Sequence, residues 1–222
     1  MLSGISSITS SHLPSSLPKH QVPSSLTLPI RHNAHPGSTL PTHLLAIASS
    51  SKAAANEPVL LFPMHSIVLA SQCSSFPRLP SSLHSTHSNS TIKLPVLPFT
   101  LPSPTAFRLI HSYLYTHALE SILHALLPVP TSFAHNGLAH HTVLSTLASP
   151  SALHQLSSYV VQAYGGDVQR VFGCAGHVKE LWQDMVALGL NDPELWDTLD
   201  LAWEIVLGAL NLAAAAQREM EM

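Results

Sequence analysis

The sequence predicts an α-rich α/β fold with additional C-terminal helices, and three observations carry that prediction. Apolar residues between Thr105 and Leu127 recur at steps of three and four, the period of a buried helix face. Two short apolar runs bounded by prolines, PVLLFP (58–63) and Ile92 to Leu97, have the length of strands. Beyond Ser149, three successive helical periodicities follow one another between recognisable start and stop signals.

The totals permit a real core. The chain has 222 residues, 45% of them apolar, and a mean hydropathy of +0.24, enough for one large domain or two small ones. Charged residues make up only 9%, against 18 prolines and 16 histidines, so Ser, Thr, His and Pro must cover much of the surface. Low solubility or a habitual partner follows. Residues 1–165 hold six Lys/Arg and two Asp/Glu, a net of +4, whereas residues 166–222 hold three and ten, a net of −7. An acidic helical tail repels a phosphate backbone and the N-terminal basic residues are too scattered to form a stripe, so no direct nucleic-acid binding is expected.

Cys73 and Cys174 are the only cysteines, and their separation asks for no local framework, so free buried thiols are expected. No membrane span is read, because the uncharged run 205–216 is too short and the run from Ser121 to Gly166 is broken by prolines and histidines. The first residues lack the charged start and continuous apolar stretch of a signal peptide.

In chain order, residues 1–56 are read as a flexible leader with a short helix over 44–55, since Ser/Thr clusters and six prolines before residue 43 neither propagate a helix nor supply a core. A first compact module is expected over 57–130. It opens with the PVLLFP strand and a short helix over His65–Cys73, passes through a turn-rich segment (82–91), and reaches an edge strand over Ile92–Leu97 limited by Pro95 and Pro98. Pro102 and Pro104 then precede one or two helices over 105–127, with Ser103 or Thr105 as cap and Pro128 as stop.

An associated helical region is expected over 131–216, with a frayed tail at 217–222. Asn136-Gly137 reads as a turn and 138–147 as ambiguous. Ser149-Pro150 starts a helix that Gly165-Gly166 ends. The next helix runs from Asp167 to Leu188, with Val168, Val171, Phe172, Ala175, Val178, Leu181, Trp182, Met185 and Val186 as a broad buried stripe. Asp192-Pro193 starts the last one, whose apolar face of Leu195, Trp196, Leu199, Ala202, Trp203, Val206, Leu207 and Leu210 opposes Asp197, Asp200 and Glu204. Two such helices facing each other account for all three tryptophans as core.

Candidate chemistry is sparse. His84-x-x-His87 and His140-His141 bring imidazoles together, but no Cys pair or HExxH accompanies them, and loop histidines are the better account. His111, His117 and His124 lie across the 105–127 helices with Glu120 in reach of the latter two, as a satisfied or exposed polar edge. The run AYGGDVQRVFGCAG (163–176) has neither GxGxxG nor GxxxxGK[ST], Cys174 has no nearby activating base, and no GxSxG elbow occurs. No catalytic, metal or cofactor site is therefore assigned.

HSIVLASQCSSF (65–76) followed by IKLPVLPFTLPSPTAFRLIHSYLYT (92–116) resembles a divergent BTB/POZ interaction domain. His65, Val68, Leu69, Ala70, Ser71 and Phe76 match that family's histidine-hydrophobic helix segment. Leu94 and Pro95 match its middle strand, and Phe107, Tyr113, Leu114, Tyr115 and Thr116 its later aromatic helix; the acidic start of its first hairpin is absent here. Segments 160–185 and 192–213 extend the likeness to the fungal clampless developmental-protein family. The resemblance implies a regulator of basidiomycete sexual development, clamp-cell formation and dikaryotic growth, acting through protein contacts in the nucleus or the cytoplasm.

The expected function is thus recognition of a regulatory protein, without cofactor or membrane, with Tyr113, Tyr115, Trp182, Trp196 and Trp203 as contact candidates against a competing assignment of each to the core. Two alternatives are carried: an enzyme with an unfamiliar helical pocket around His111, His117 or Glu120, and a structural homo-oligomer.

Overall fold

The computed structural model describes residues 13–30, 39–51, 57–76, 79, 87–88, 91–133 and 137–220. They form two compact units. One takes the described residues up to Tyr115 together with Asp184–Asn191, and the other takes Thr116–Gln183 with the chain from Asp192 onward.

The first unit is built on a mixed sheet. Its strands are β1 (Ser16–Leu17), β2 (Ser25–Pro29), β3 (His43–Ser49), β4 (Val59–Met64), β5 (His87–Ser88) and β6 (Thr91–Leu101), in the order β1-β4-β3-β6-β2 with β5 also on β6. β3 and β4 pair antiparallel, and β6 returns parallel to β3. Leu28, Leu44, Ala46, Val59, Leu61, Ile92, Leu94 and Val96 form one core cluster, and within each strand they alternate with period two, as one sheet face requires.

Three expectations are corrected here. The short helix over 44–55 is replaced over its described part by β3, with residues 52–56 outside the described set. β3 is buried from His43 to Ile47, and a strand covered on both faces reads as a continuous apolar run without alternation. The flexible leader contains β1 and β2, and Leu28 is 1% exposed; residues 1–12 and 31–38 lie outside the described set. β6 stands between two neighbours in the sheet instead of at its edge. It tolerates Pro95 and Pro98 because β2 pairs with Thr91–Pro95 and β3 with Val96–Leu101, so each stretch has one of these two strands for a partner.

Helix α1 (Ser66–Gln72) follows β4 as expected, and α2 (Phe107–Thr116) follows β6. Ser103 Oγ accepts from Ala106 N–H at 3.4 Å, so of the two proposed caps it is Ser103 that engages. Its own N–H donates to Asp184 Oδ1 at 2.8 Å. α2 sets Phe107 edge-on to Phe62, ring centroids 4.9 Å apart. Beside them His111 Nε2–H donates to the Pro63 carbonyl at 2.9 Å, and burial pushes its pKa below the ordinary 6.5. Gly189, at φ +61°, lets Leu188 and Gly189 carbonyls accept from Ser75 and Ser74 N–H groups. A Cβ there would meet the Ser74 and Ser75 hydroxyls and stand 2.9 Å from Ser75 N.

The second unit is helical: α3 (Leu119–Leu126), α4 (His140–Leu147), α5 (Pro150–Ala163), α6 (Val168–Leu188, as far as Gln183) and α7 (Pro193–Met220). The 105–127 periodicity is two helices, parted at His117, whose φ of 49° no helix propagates. Start signals act as anticipated. Ser149 Oγ accepts from Ala152 N–H, Asp167 Oδ1 from Gln169 and Arg170 N–H, and Asp192 Oδ1 from Glu194 and Leu195 N–H. Gly165 and Gly166 take φ of +61° and +77° behind α5. The tail expected to fray from 217 is helical to Met220.

α7 packs against α3, α4 and α5. Leu195, Leu199, Ala202, Val206, Ala209 and Ala213 are all at most 2% exposed. Ser157 Oγ–H donates to the Ile205 carbonyl at 3.0 Å, opposite Gly208, where any Cβ would collide with that hydroxyl. The stretch 193–218 of α7 is long and apolar enough to cross a membrane by length and composition, and 39% of its most apolar part is buried. Cys73 and Cys174 are free and buried, as expected.

Leu28→Ala, within the segment whose composition suggested a leader, should cost about 2–4 kcal/mol in urea unfolding, while exposed Thr27→Ala should cost under about 0.5 kcal/mol. Acid should also weaken this unit. Folding favours the neutral His111 ring, so its contribution is complete above the ordinary imidazole pKa and declines as pH falls through it. Unfolding midpoints of the wild type and His111→Gln, followed from neutral to mildly acidic pH, should converge on acidification.

Candidate functional site

The buried seam of α6 in the second unit is narrow: Val171, Cys174, Val178 and Leu181 are no more than 4% exposed. Trp182 lies one step past Leu181 and four past Val178, at the margin of that seam. Trp203 stands in the same relation to α7, four past Leu199 and one past Ala202. Both indoles are consequently left half outside, 49% exposed at Trp182 and 38% at Trp203.

The expected broad stripe is corrected accordingly. Phe172 is 64% exposed, and Trp182 is not core. The two tryptophans line a cleft of about 410 Å³ with Val178, Lys179, Leu199 and Asp200. Its lining thus combines two aliphatic side chains, two indoles, one carboxylate and one ammonium.

The electrostatics of the cleft favour incoming positive charge. Burial, then the neighbouring Asp197 and Glu204 carboxylates, push the Asp200 carboxyl above the usual carboxylate range. Asp197 is itself engaged, its Oδ2 accepting from His140 Nε2–H at 2.6 Å. Lys179 is the single cation among the described lining residues.

Of the remaining contact candidates, Tyr113 is corrected outright: it is 0% exposed and its ring fills the core of the first unit. Tyr115 is half-buried, its hydroxyl accepting from the His65 backbone N–H at 3.0 Å and lying 3.0 Å from His65 Nδ1. Burial pushes that phenol to about 12, so it stays protonated as an internal tie. Trp196 is half-buried near the start of α7. Sequence reasoning named Trp182 and Trp203 but not Asp200 as a cleft residue. The signal available was its position four before Glu204 and three after Asp197, a like-charge row on one helix.

The residues proposed for an unfamiliar enzyme each have a partner of their own. His111 donates to Pro63, His117 Nδ1 lies 3.6 Å from Asp192 Oδ2, and Glu120 Oε2 accepts from Leu138 N–H at 3.5 Å. His140 binds a carboxylate, His84 lies outside the described residues, and no group of three or more metal-ligating side chains occurs among the described residues. A second cleft of about 420 Å³ is lined by residues including His124, Tyr164, Arg170, Cys174 and His177. There the Tyr164 hydroxyl lies 3.4 Å from Cys174 Sγ, and burial, then that thiol, push the phenol to about 12. A phenol held protonated is no base for a thiol.

Residues 1–102 match the family described as the Clampless protein 1 N-terminal domain, and residues 120–222 match the Clampless protein 1 C-terminal domain. The interval between the matches contains the step from first to second unit at Tyr115–Thr116. The chain is similar to Clampless protein 1 of Cryptococcus neoformans var. neoformans serotype D, in strains JEC21 and B-3501A, at 27% identity over 150 residues. That alignment covers 66% of this chain and 27% of each relative, so the chain spans about a quarter of the curated relatives it matches. No solved structure matches it.

Asp200→Asn should stabilise the chain. Because folding raises the Asp200 pKa, the carboxyl favours the folded state below its ordinary value of 3.8 and opposes it as pH rises through the raised value. The variant should therefore be slightly more stable than the wild type at neutral pH, by under about 0.5 kcal/mol because water screens this largely exposed group, and equal it in acid, as read from urea unfolding at both. A less stable variant at neutral pH would mean that a favourable contact holds the carboxylate.

Proposed function

Since the chain belongs to the clampless protein family, we propose that it is a non-enzymatic regulator of fungal sexual development, including clamp-cell formation and dikaryotic growth, that works by gripping another protein. One observation carries the interaction reading: two tryptophans from different helices are held half-exposed around an apolar cleft of the second unit. Exposed aromatic pairs of this kind are enriched where proteins bind. Covering what remains accessible of each indole removes roughly 100 Å² from water, a gross gain of roughly 2 kcal/mol per ring.

The first unit supports a BTB/POZ-like interaction module as the finer reading. The stretch likened to that family's helix segment forms α1, the strand-like stretch forms part of β6, and the aromatic signature forms α2. The hairpin has its counterpart in the antiparallel β3–β4 pair. His65, 2% exposed, holds this region together, its Nε2 lying 3.0 Å from the Thr39 carbonyl and its Nδ1 3.0 Å from the Tyr115 hydroxyl. Its role in the proposal is structural, and the recognition surface is assigned to the tryptophan cleft.

The deciding experiment recovers proteins bound to the intact chain in its native cell and compares wild type with Trp182→Ala and Trp203→Ala. Loss of a reproducible partner, about 10–50-fold in affinity, with unfolding transitions near wild type, is the expected outcome. Tyr113→Ala, by contrast, should lower stability by about 3–5 kcal/mol and lose binding through unfolding. Turnover of a small substrate by the purified monomer, with no partner recovered, would sink the proposal.

A further inference from the structure

Resting on the interaction reading above, we infer that the Trp182–Trp203 cleft recognises its partner through an arginine side chain set among apolar residues. The lining residues divide into two kinds with matching demands. The indoles and the aliphatic side chains call for planar or apolar groups, and Asp200 calls for a cation. A guanidinium meets both at once, because it stacks on indole and forks onto a carboxylate, while an ammonium is a compact, more strongly hydrated point charge.

The charge around the cleft points the same way. Asp200 is close enough to Asp197 and Glu204 for their charges to raise its pKa, and Lys179 is the one cation among the described lining residues to offset them. Residues 166–222 as a whole carry ten acidic against three basic residues. Leu207, 38% exposed, lies one turn beyond Trp203 and offers a flank for apolar neighbours of the arginine. A second copy of the chain fits poorly, since a symmetric contact would bring two Asp200-bearing faces together.

The test is selection of a displayed random peptide library against the intact chain, with Trp203→Ala and Asp200→Lys chains as counter-selections. Recovered peptides should carry an arginine beside Leu, Phe or Trp. In a synthetic copy of one of them, Arg→Gln should weaken binding about tenfold and Arg→Lys by less, with added salt weakening it further. Asp200→Asn should reproduce the loss of about tenfold, and because this exposed isosteric change leaves packing intact it decides the matter if Trp203→Ala fails to fold.

Peptides that depend on the tryptophans but show no preference for arginine would overturn the inference and leave the cleft as an interaction site. Self-association abolished by Asp200→Lys would overturn it in favour of a second copy. If no peptide depends on the cleft while partners are still captured in the native cell, the inference falls and the interaction reading survives elsewhere on the surface. If neither is found, both fall.

Discussion

The second unit depends on one constraint, the close approach of α5 and α7. Gly208 faces Ser157, and the Ser157 hydroxyl donates to the Ile205 carbonyl, so the two backbones meet with almost nothing between them. Ala202, Ala209 and Ala213 continue the buried side of α7. Trp203 follows the buried Ala202 by one residue and therefore sits at the edge of the packed face, where it lines the cleft.

What was legible in the sequence was local. Helix starts at Ser149-Pro150 and Asp192-Pro193 and the stop at Gly165-Gly166 depend on side chains and backbone angles within one turn, and each behaves as its residue type dictates. The strands were harder because their reason for being strands lies far away in the chain. β3 is extended because Leu44 to Ser49 lie alongside Val96 to Leu101, and nothing within β3 itself announces that pairing. With both faces buried it shows no alternation, so a short apolar run containing alanines resembles a helix. β2 is hidden by the prolines and serines around it, although Leu26 and Leu28 carry its apolar content.

The histidines follow the same division. Their number suggested solvent-facing loops, but His43 and His65 are 1% and 2% exposed. They are satisfied by hydroxyls and carbonyls both near and far along the chain: Thr42 for His43, Thr39 and Tyr115 for His65. Imidazole can sit inside at modest cost when it is neutral and both nitrogens have partners. Composition counts such residues without revealing which carbonyl will lie within reach.

The candidate site was half legible for a related reason. Periodicity identifies which residues share a helix face, but not how wide the buried part of that face is, because the width is set by the neighbouring helix. Trp182 and Trp203 satisfy the period of the apolar stripe and still fall outside its buried centre, a distinction of one residue step, or about 100° of helix rotation. Asp200 was assigned to the solvated side, and the same reasoning returns it to the cleft. Asp200 follows the buried Leu199 by one residue, on a margin where water is partly excluded and two more carboxylates are near. Loss of water around Asp200, and then repulsion from Asp197 and Glu204, oppose its charge in the folded chain, and a cation set beside it would offset both. On the arginine proposal, folding and recognition would be coupled through one side chain, since the charge that opposes the isolated unit is the charge that a cationic partner would satisfy.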